Sequence, residues 1–253
     1  MHARPASVDQ PVSAPLDPGR RAELVARLGA VRVRLTDACA DVGRDPHDVT
    51  IVAVTKTFPA IDIAGLASIG VTDIGENKDQ DARAKIAELL ASRWALPPLR
   101  WHFVGRLQTN KCRSVARYAH VVHSVDRVEV AAALAAGAQR AERQLSVFAQ
   151  VSLAEAPVRG GVVPGQLGEL AAHIAAQESL SLIGVMAIAP LGADADAAFE
   201  RLAAISARLR NDHPEASAIS AGMSEDLEAA VRHGATHVRL GSALLGRRTT
   251  NIG

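Results

Sequence analysis

Residues 51–55 read IVAVT and residues 182–188 read LIGVMAI, and these two stretches decide how the chain folds. Both are short and free of charge, and β-branched residues punctuate them. A strand with one wet face alternates apolar and polar side chains, whereas a strand covered on both faces has no need to. Such runs therefore predict parallel strands enclosed by helices. Working outward, the same rhythm recurs. β-rich runs lie at 50–56, 71–77, 100–105, 120–126, 146–153, 182–189, 218–222 and 237–241, with helical stretches between them. In the stretch near 194–210, Phe199, Leu202, Ile205 and Leu209 form one apolar stripe at helical spacing. Each run but the last is followed by a clear helix. Eight βα repeats in about 200 residues predict an α/β fold, a single closed (β/α)8 barrel of the TIM type. An open doubly wound sheet is the alternative, weakened because no GxGxxG follows a first strand.

The flanks are short. Residues 1–19 carry four of the twelve prolines and no periodicity, so a disordered tail is expected there. Leu24, Leu28, Val31, Leu35, Ala38 and Val42 then recur at spacings of four and three, and Gly43 supplies a stop. They predict an extra N-terminal helix packed on the domain surface. The barrel domain is placed at 20–248. The tail at 249–253 leaves no room for a second domain in this sequence.

Composition narrows the function. Of 253 residues, 48% are hydrophobic and 22% charged, ordinary for a globular domain able to bury a core without disulfides. The 28 basic and 27 acidic residues leave a net charge of +1, without the basic excess a general nucleic-acid binder needs. Two cysteines, Cys39 and Cys112, form no disulfide framework and suit a reducing compartment. No apolar run reaches membrane-spanning length, and the first residues lack a signal peptide's apolar stretch. A cytoplasmic location is expected.

Barrel chemistry gathers where strands end and loops begin. Lys56 ends the first strand and is one of only four lysines, with Lys78, Lys85 and Lys111. A dry barrel mouth would disfavour its charged form and prepare it as a Schiff-base nucleophile. A lysine snorkelling from the rim is the plainer reading. Lys78, Lys85 and Lys111 fall on helices. SAGMSEDLEAA at 220–230 joins a strand end to a helix start, with Ser224 as N-cap. VRLGSALLG at 238–246 brings Gly241 and Ser242 after the last strand. Loops after strands seven and eight commonly hold phosphate in such barrels. A lysine facing a phosphate cradle suggests a phosphorylated aldehyde, with pyridoxal 5′-phosphate (PLP) the leading candidate. Arg239 would then face the pyridine nitrogen, or sit in a surface ion pair. Glu76, Asn77 and His102 are weaker candidates, and Arg106, Lys111 and Arg113 form a candidate basic patch. His120 and His123 fall on opposite faces of one strand, which argues against a metal site with Asp126.

Seven stretches, AVTKTFP, IGENKDQ, WHFVGRLQTNK, VHSVD, GVMAIAP, SAGMSEDLEAA and THVRLGSALLGRR, together resemble the pyridoxal phosphate homeostasis proteins, also called the YggS/PROSC family. That family looks like the barrel domain of fold-type III PLP enzymes such as alanine racemase. The resemblance implies that Lys56 holds PLP as a Schiff base. It implies Ser220, Ser224, Gly241 and Ser242 around the phosphate, Arg239 near the pyridine nitrogen and Asn77 beside the cofactor. Ile74, Lys78 and Arg159 depart from the family's usual residues. At position 159 an arginine replaces a lysine and cannot form an imine.

Two classes of function follow. One is a PLP binder that buffers the cofactor or hands it to apo PLP-dependent enzymes, without turnover. The other is an amino-acid racemase, which needs acid–base groups on both faces of the substrate. The only tyrosine, Tyr118, precedes strand four and lies far from the expected mouth. A class I aldolase using Lys56 without a cofactor is a third reading. Without a second domain, a monomer is expected.

Overall fold

The structure is a computed structural model that describes residues 13–154 and 160–246. Helix α1 spans Pro18–Ala40, and then strands and helices alternate. β1 (Thr50–Val54) leads to α2 (Ala60–Ser68), β2 (Asp73–Glu76) to α3 (Asp79–Ala91), and β3 (Arg100–Phe103) to α4 (Thr109–Val115). β4 (Val121–Val125) leads to α5 (Val128–Arg140), β5 (Leu145–Gln150) to α6 (Leu167–Ala175), and β6 (Leu180–Met186) to α7 (Ala195–Asp212). β7 (Ala218–Ser220) precedes α8 (Leu227–Arg232), and β8 (His237–Leu240) runs into the short α9 (Ser242–Leu245). The eight strands are parallel and close into a barrel in chain order, β1 pairing with β8. The expected closed barrel is therefore present, and the open sheet is excluded.

The period of two along each strand divides the core in two. Ile74, Trp101, Val122, Val147, Val185 and Val238 pack outward in the large cluster shared with the helices. A second, small cluster of Val121, Phe148 and Met186 fills part of the lumen. The rest of the lumen is polar. His102, His123, Ser220 and Arg239 alternate with those outward residues and are buried.

Helix α1 buries Leu24, Leu28, Val31, Leu35 and Ala38, the stripe read from the sequence, whereas Val42 is exposed beyond the helix end. The helix starts two residues before the boundary at 20, with Asp17 capping the Arg20 amide at 2.9 Å. Residues 13–19 are thus no featureless tail. Leu16 packs on the core beneath Gly65, a contact with no periodicity to announce it. Residues 1–12 and 249–253 lie outside the described residues. Arg20 bonds Asp62 of α2 at 2.8 Å, and Arg34 bonds Glu228 of α8 at 2.6 and 2.8 Å, which fastens α1 across the barrel's flank. Among the described residues no helix is long and apolar enough to cross a membrane.

Candidate functional site

At the C-terminal ends of the strands a cavity of about 610 Å³ is lined by Lys56, Asn77, Ser224, Arg239, Gly241 and Ser242. These are six of the seven residues singled out in the sequence, drawn from β1, β2, β7 and β8 or the loops after them. Closure of the barrel brings together positions up to 186 residues apart in the chain (56 to 242).

Lys56 stands above the rim. β1 ends at Val54, and the following turn is closed by the Phe58 amide donating to Thr55 O at 3.0 Å. Thr57 adopts a left-handed φ of 69°, which is uncommon for a β-branched residue. The Lys56 side chain is exposed. The expected dry surroundings are not there, because the chain turns outward two residues before the lysine.

Beneath the rim lies a buttress that the sequence did not reveal. Thr55 Oγ1 donates to Glu76 Oε1 at 2.6 Å, and Lys85 Nζ donates to the same oxygen at 2.5 Å and to Thr55 O at 2.7 Å. Glu76 is fully buried and Lys85 nearly so. Lys85 had been read as an ordinary helix lysine. Its four-carbon stem lets the ammonium reach from α3 to the ends of β1 and β2, so it ties together the segments carrying Lys56 and Asn77. Glu76 Oε1 is thus shared by Thr55 and Lys85 and does not bond Lys56, and the buried Oε2 has no hydrogen-bond partner among the described residues. Above it, a Cβ on Gly105 would lie 2.1 Å from Asn77 O, so only glycine lets the loop after β3 cross over Asn77.

On the opposite side, the loops after β7 and β8 are tied together. The Ala243 amide donates to Ser224 Oγ at 3.1 Å, and Arg34 Nη1 donates to Ser224 O at 3.1 Å. Ser224 thus caps the start of α9, not that of its own α8 as its sequence position suggested. Asp226 Oδ1 accepts from the Met223 amide at 2.5 Å and shapes the same loop.

Arg239 forms the floor and is buried. Its Nη1 donates to Ser220 Oγ at 2.7 Å and its Nη2 to Ala187 O at 3.0 Å. It makes no ion pair among the described residues, so the surface ion pair considered from the sequence is absent there. Burial lowers its pKa to about 10, which leaves it charged at neutral pH. Ser220 is the one expected cradle residue that the mouth does not contain. Its hydroxyl is fully buried below Arg239 and also meets His123 Nδ1 at 2.8 Å. Position 220 is the last residue of β7 and faces the lumen, whereas Ser224 lies in the loop beyond.

Other candidates fall elsewhere. His102 is buried in the lumen between His123 and Asp73. His120 lies outside, its Nδ1 accepting from the Trp101 amide at 3.0 Å. Arg106, Lys111 and Arg127 line a second cavity of about 710 Å³ that shares Asn77 and Arg106 with the first. Arg113 lines a third, between α3 and α4, together with Tyr118. That places the tyrosine on the barrel's outer wall, where burial pushes its hydroxyl pKa up. Arg159 lies outside the described residues.

With this geometry in place, the comparisons with known proteins are specific. The family described as the alanine racemase N-terminal domain matches residues 34–249. The pyridoxal phosphate homeostasis protein of Mycobacterium leprae is 42% identical over 242 residues, covering 90% of this chain and 93% of that protein. The structure of PipY from Synechococcus elongatus with PLP bound matches at a TM-score of 0.77 and 32% identity, covering 88% of this chain and 100% of that one. Alanine racemase of Clostridium difficile 630 shares the fold at a TM-score of 0.67 and 13% identity, and this chain covers 64% of it.

Proposed function

The chain belongs to the pyridoxal phosphate homeostasis protein family, and on that footing we propose that it binds PLP and buffers or delivers it without turning over a substrate. The observation that carries this reading is the buried Arg239 guanidinium. It faces the cavity that also holds Lys56, and it lacks an anionic partner among the described residues. A buried cation keeps its place only if its remaining donors find acceptors. Two of its five N–H groups are used, and an unprotonated pyridine nitrogen can accept a hydrogen bond from another. The residues therefore fit PLP.

When bound, PLP supplies an electrophilic aldehyde. Lys56 Nζ, at the rim of the same cavity, would be the amine that holds that aldehyde as a Schiff base. Ser224, Gly241 and Ser242 would hold the phosphate from the joined loops. Ser220 leaves that set, because its hydroxyl serves Arg239 from below. Asn77, pinned under Gly105, would border the ring. Arg239 has no acceptor to offer, so it would keep the ring nitrogen of bound PLP unprotonated and weaken the ring as an electron sink.

Racemisation additionally requires an acid–base group on the second face of the substrate. Tyr118, the chain's only tyrosine, is on the outer wall. The same membership supports a cytoplasmic protein that donates PLP to apo enzymes, and we propose a monomer.

One experiment separates these readings. The purified protein is loaded with PLP, reduced with borohydride and mapped by peptide mass, alongside incubation with L-amino acids in deuterated water. A pyridoxyl group on Lys56, with no α-deuteration and with transfer of PLP to an apo enzyme, is the expected outcome. Label on Lys78, Lys85 or Lys111 would refute the Lys56 assignment. Exchange near one per second that is lost in Lys56→Ala, within tenfold of a typical enzyme's roughly 10 s⁻¹, would make it an enzyme.

A further inference from the structure

Behind Arg239 the lumen contains an unbroken chain of side chains that the cofactor site does not use directly. Arg239 Nη1 lies 2.7 Å from Ser220 Oγ, which lies 2.8 Å from His123 Nδ1. His123 Nε2 lies 2.8 Å from His102 Nδ1, and His102 Nε2 lies 2.9 Å from Asp73 Oδ1. The chain crosses the barrel from β8 and β7 to β4 and β3. It ends at the first residue of β2, at the opposite end of the barrel from Lys56. There Asp73 keeps 22% of its side chain exposed and opens onto a lower cavity of about 780 Å³.

With neutral imidazoles between them, the two ends assign every proton in the chain. A guanidinium only donates and an ionised carboxylate only accepts. Ser220 accepts from Arg239, which leaves its single O–H free to donate to His123 Nδ1. His102 must donate through Nε2 to Asp73, so its Nδ1 accepts from His123. With both imidazoles neutral, each must carry its hydrogen on Nε2. The two ends demand the same direction, and each bond polarises the next.

We propose that Asp73, His102, His123 and Ser220 form a relay of fixed polarity that positions Arg239, so that the residue facing the cofactor cavity is governed from the opposite end of the barrel. The arrangement gives the buried guanidinium an anionic counterpart four bonds away, and its other donors stay available to the cavity. A carboxylate in direct contact would have taken them. The groups that surround the relay keep the histidines neutral. Arg100 and Arg239 supply positive charge near His123, and His237, 6.3 Å from the His102 ring and 6.1 Å from that of His123, is itself uncharged at neutral pH. Burial lowers the pKa of His102, and that of His123 further still. This inference rests on PLP meeting Arg239, yet the relay itself exists without it.

The test has two arms. In the first, the apo protein labelled with ¹⁵N-histidine is examined by long-range proton–nitrogen correlation, with signals assigned by single variants. Both rings are expected as neutral Nε2–H tautomers from about pH 6 to about pH 9, below which an ordinary histidine would already be titrating. An Nδ1–H tautomer or an imidazolium at neutral pH in either ring overturns the proposal. In the second arm, PLP labelled with ¹⁵N in its ring is bound to the wild type, Asp73→Leu, Asp73→Asn and His123→Phe, each checked for folding by circular dichroism. Asp73→Leu is expected to move the ring-nitrogen shift and weaken PLP binding about three- to tenfold, the loss of one buried hydrogen bond. Asp73→Asn keeps an acceptor and should restore both. If Asp73→Leu folds, binds PLP like the wild type and leaves the nitrogen shift unmoved, Arg239 is not governed by the relay. If the wild type binds no PLP, the proposed function fails while the tautomer result still stands or falls alone. Should His123→Phe not fold, the Asp73 pair and the apo spectra decide.

Discussion

Acidification from about pH 7.5 to about pH 5 is expected to destabilise the fold by about 2 kcal/mol through His237 alone. This histidine begins β8, with its Nδ1 2.9 Å from Thr236 Oγ1 and its ring edge-on to Phe148 at 5.2 Å. Burial lowers its pKa to about 4, with the positive charge of Arg100 acting in the same direction. In the unfolded chain it titrates near 6.5. Below that value the unfolded chain takes up a proton that the native chain refuses. Stability is therefore complete above about pH 6.5 and falls as pH drops through the window from about 6.5 to 4. At about pH 5 the interval covered is roughly 1.5 units, and at 1.36 kcal/mol per unit the loss is about 2 kcal/mol. His102 and His123, also lowered by burial, add to it. The lowered carboxylates Glu23, Asp73, Asp196 and Glu228 lose their contribution only below their unfolded values near 4, under this window. The assay is urea unfolding followed by circular dichroism at both pH values, for the wild type and His237→Gln. The variant is expected to lose about 2 kcal/mol less than the wild type on acidification. Equal losses would show that His237 titrates normally in the folded protein and would refute the reasoning.

Three further outcomes test the site's construction. Lys85→Met leaves the Glu76 carboxylate buried without its ammonium and is expected to cost about 3–5 kcal/mol in denaturant unfolding, with much of the loss recovered in Lys85→Met/Glu76→Gln. Gly105→Ala forces a methyl against Asn77 O, so PLP binding measured by fluorescence titration should weaken well before the circular dichroism spectrum changes. Ser224→Ala with Ser242→Ala is expected to weaken PLP binding by at least about tenfold, given roughly 1.5–3 kcal/mol for a hydrogen bond to a charged group. It should also erode the preference for PLP over pyridoxal, and an unchanged preference would place the phosphate elsewhere.

Much of the architecture was legible in the sequence because it is encoded locally. Apolar runs such as IVAVT, the stripe of Phe199, Leu202 and Leu209, and the spacing of Leu24, Leu28 and Val31 each follow from the period of a strand or a helix. Knowing that barrel chemistry sits at strand ends pointed to Lys56, Arg239, Gly241 and Ser242, the family resemblance added Asn77 and Ser224, and all six share one cavity. The tertiary structure decided the rest. Whether Ser220 or Ser224 reaches the mouth depends on where β7 ends, and strand ends are set by pairing with neighbours. The exposure of Lys56 was settled in the same way, by β1 ending at Val54. Lys85 reads as a surface lysine until α3 is laid against the ends of β1 and β2, where its reach brings it to Glu76. The relay was hidden most completely. Asp73, His102, His123, Ser220 and Arg239 come from five strands, and their contacts exist only after closure carries β7 and β8 across the lumen from β4. No local pattern records a distance measured through the inside of a barrel. Sequence periodicity therefore determined which faces exist, and closure alone determined which polar groups meet.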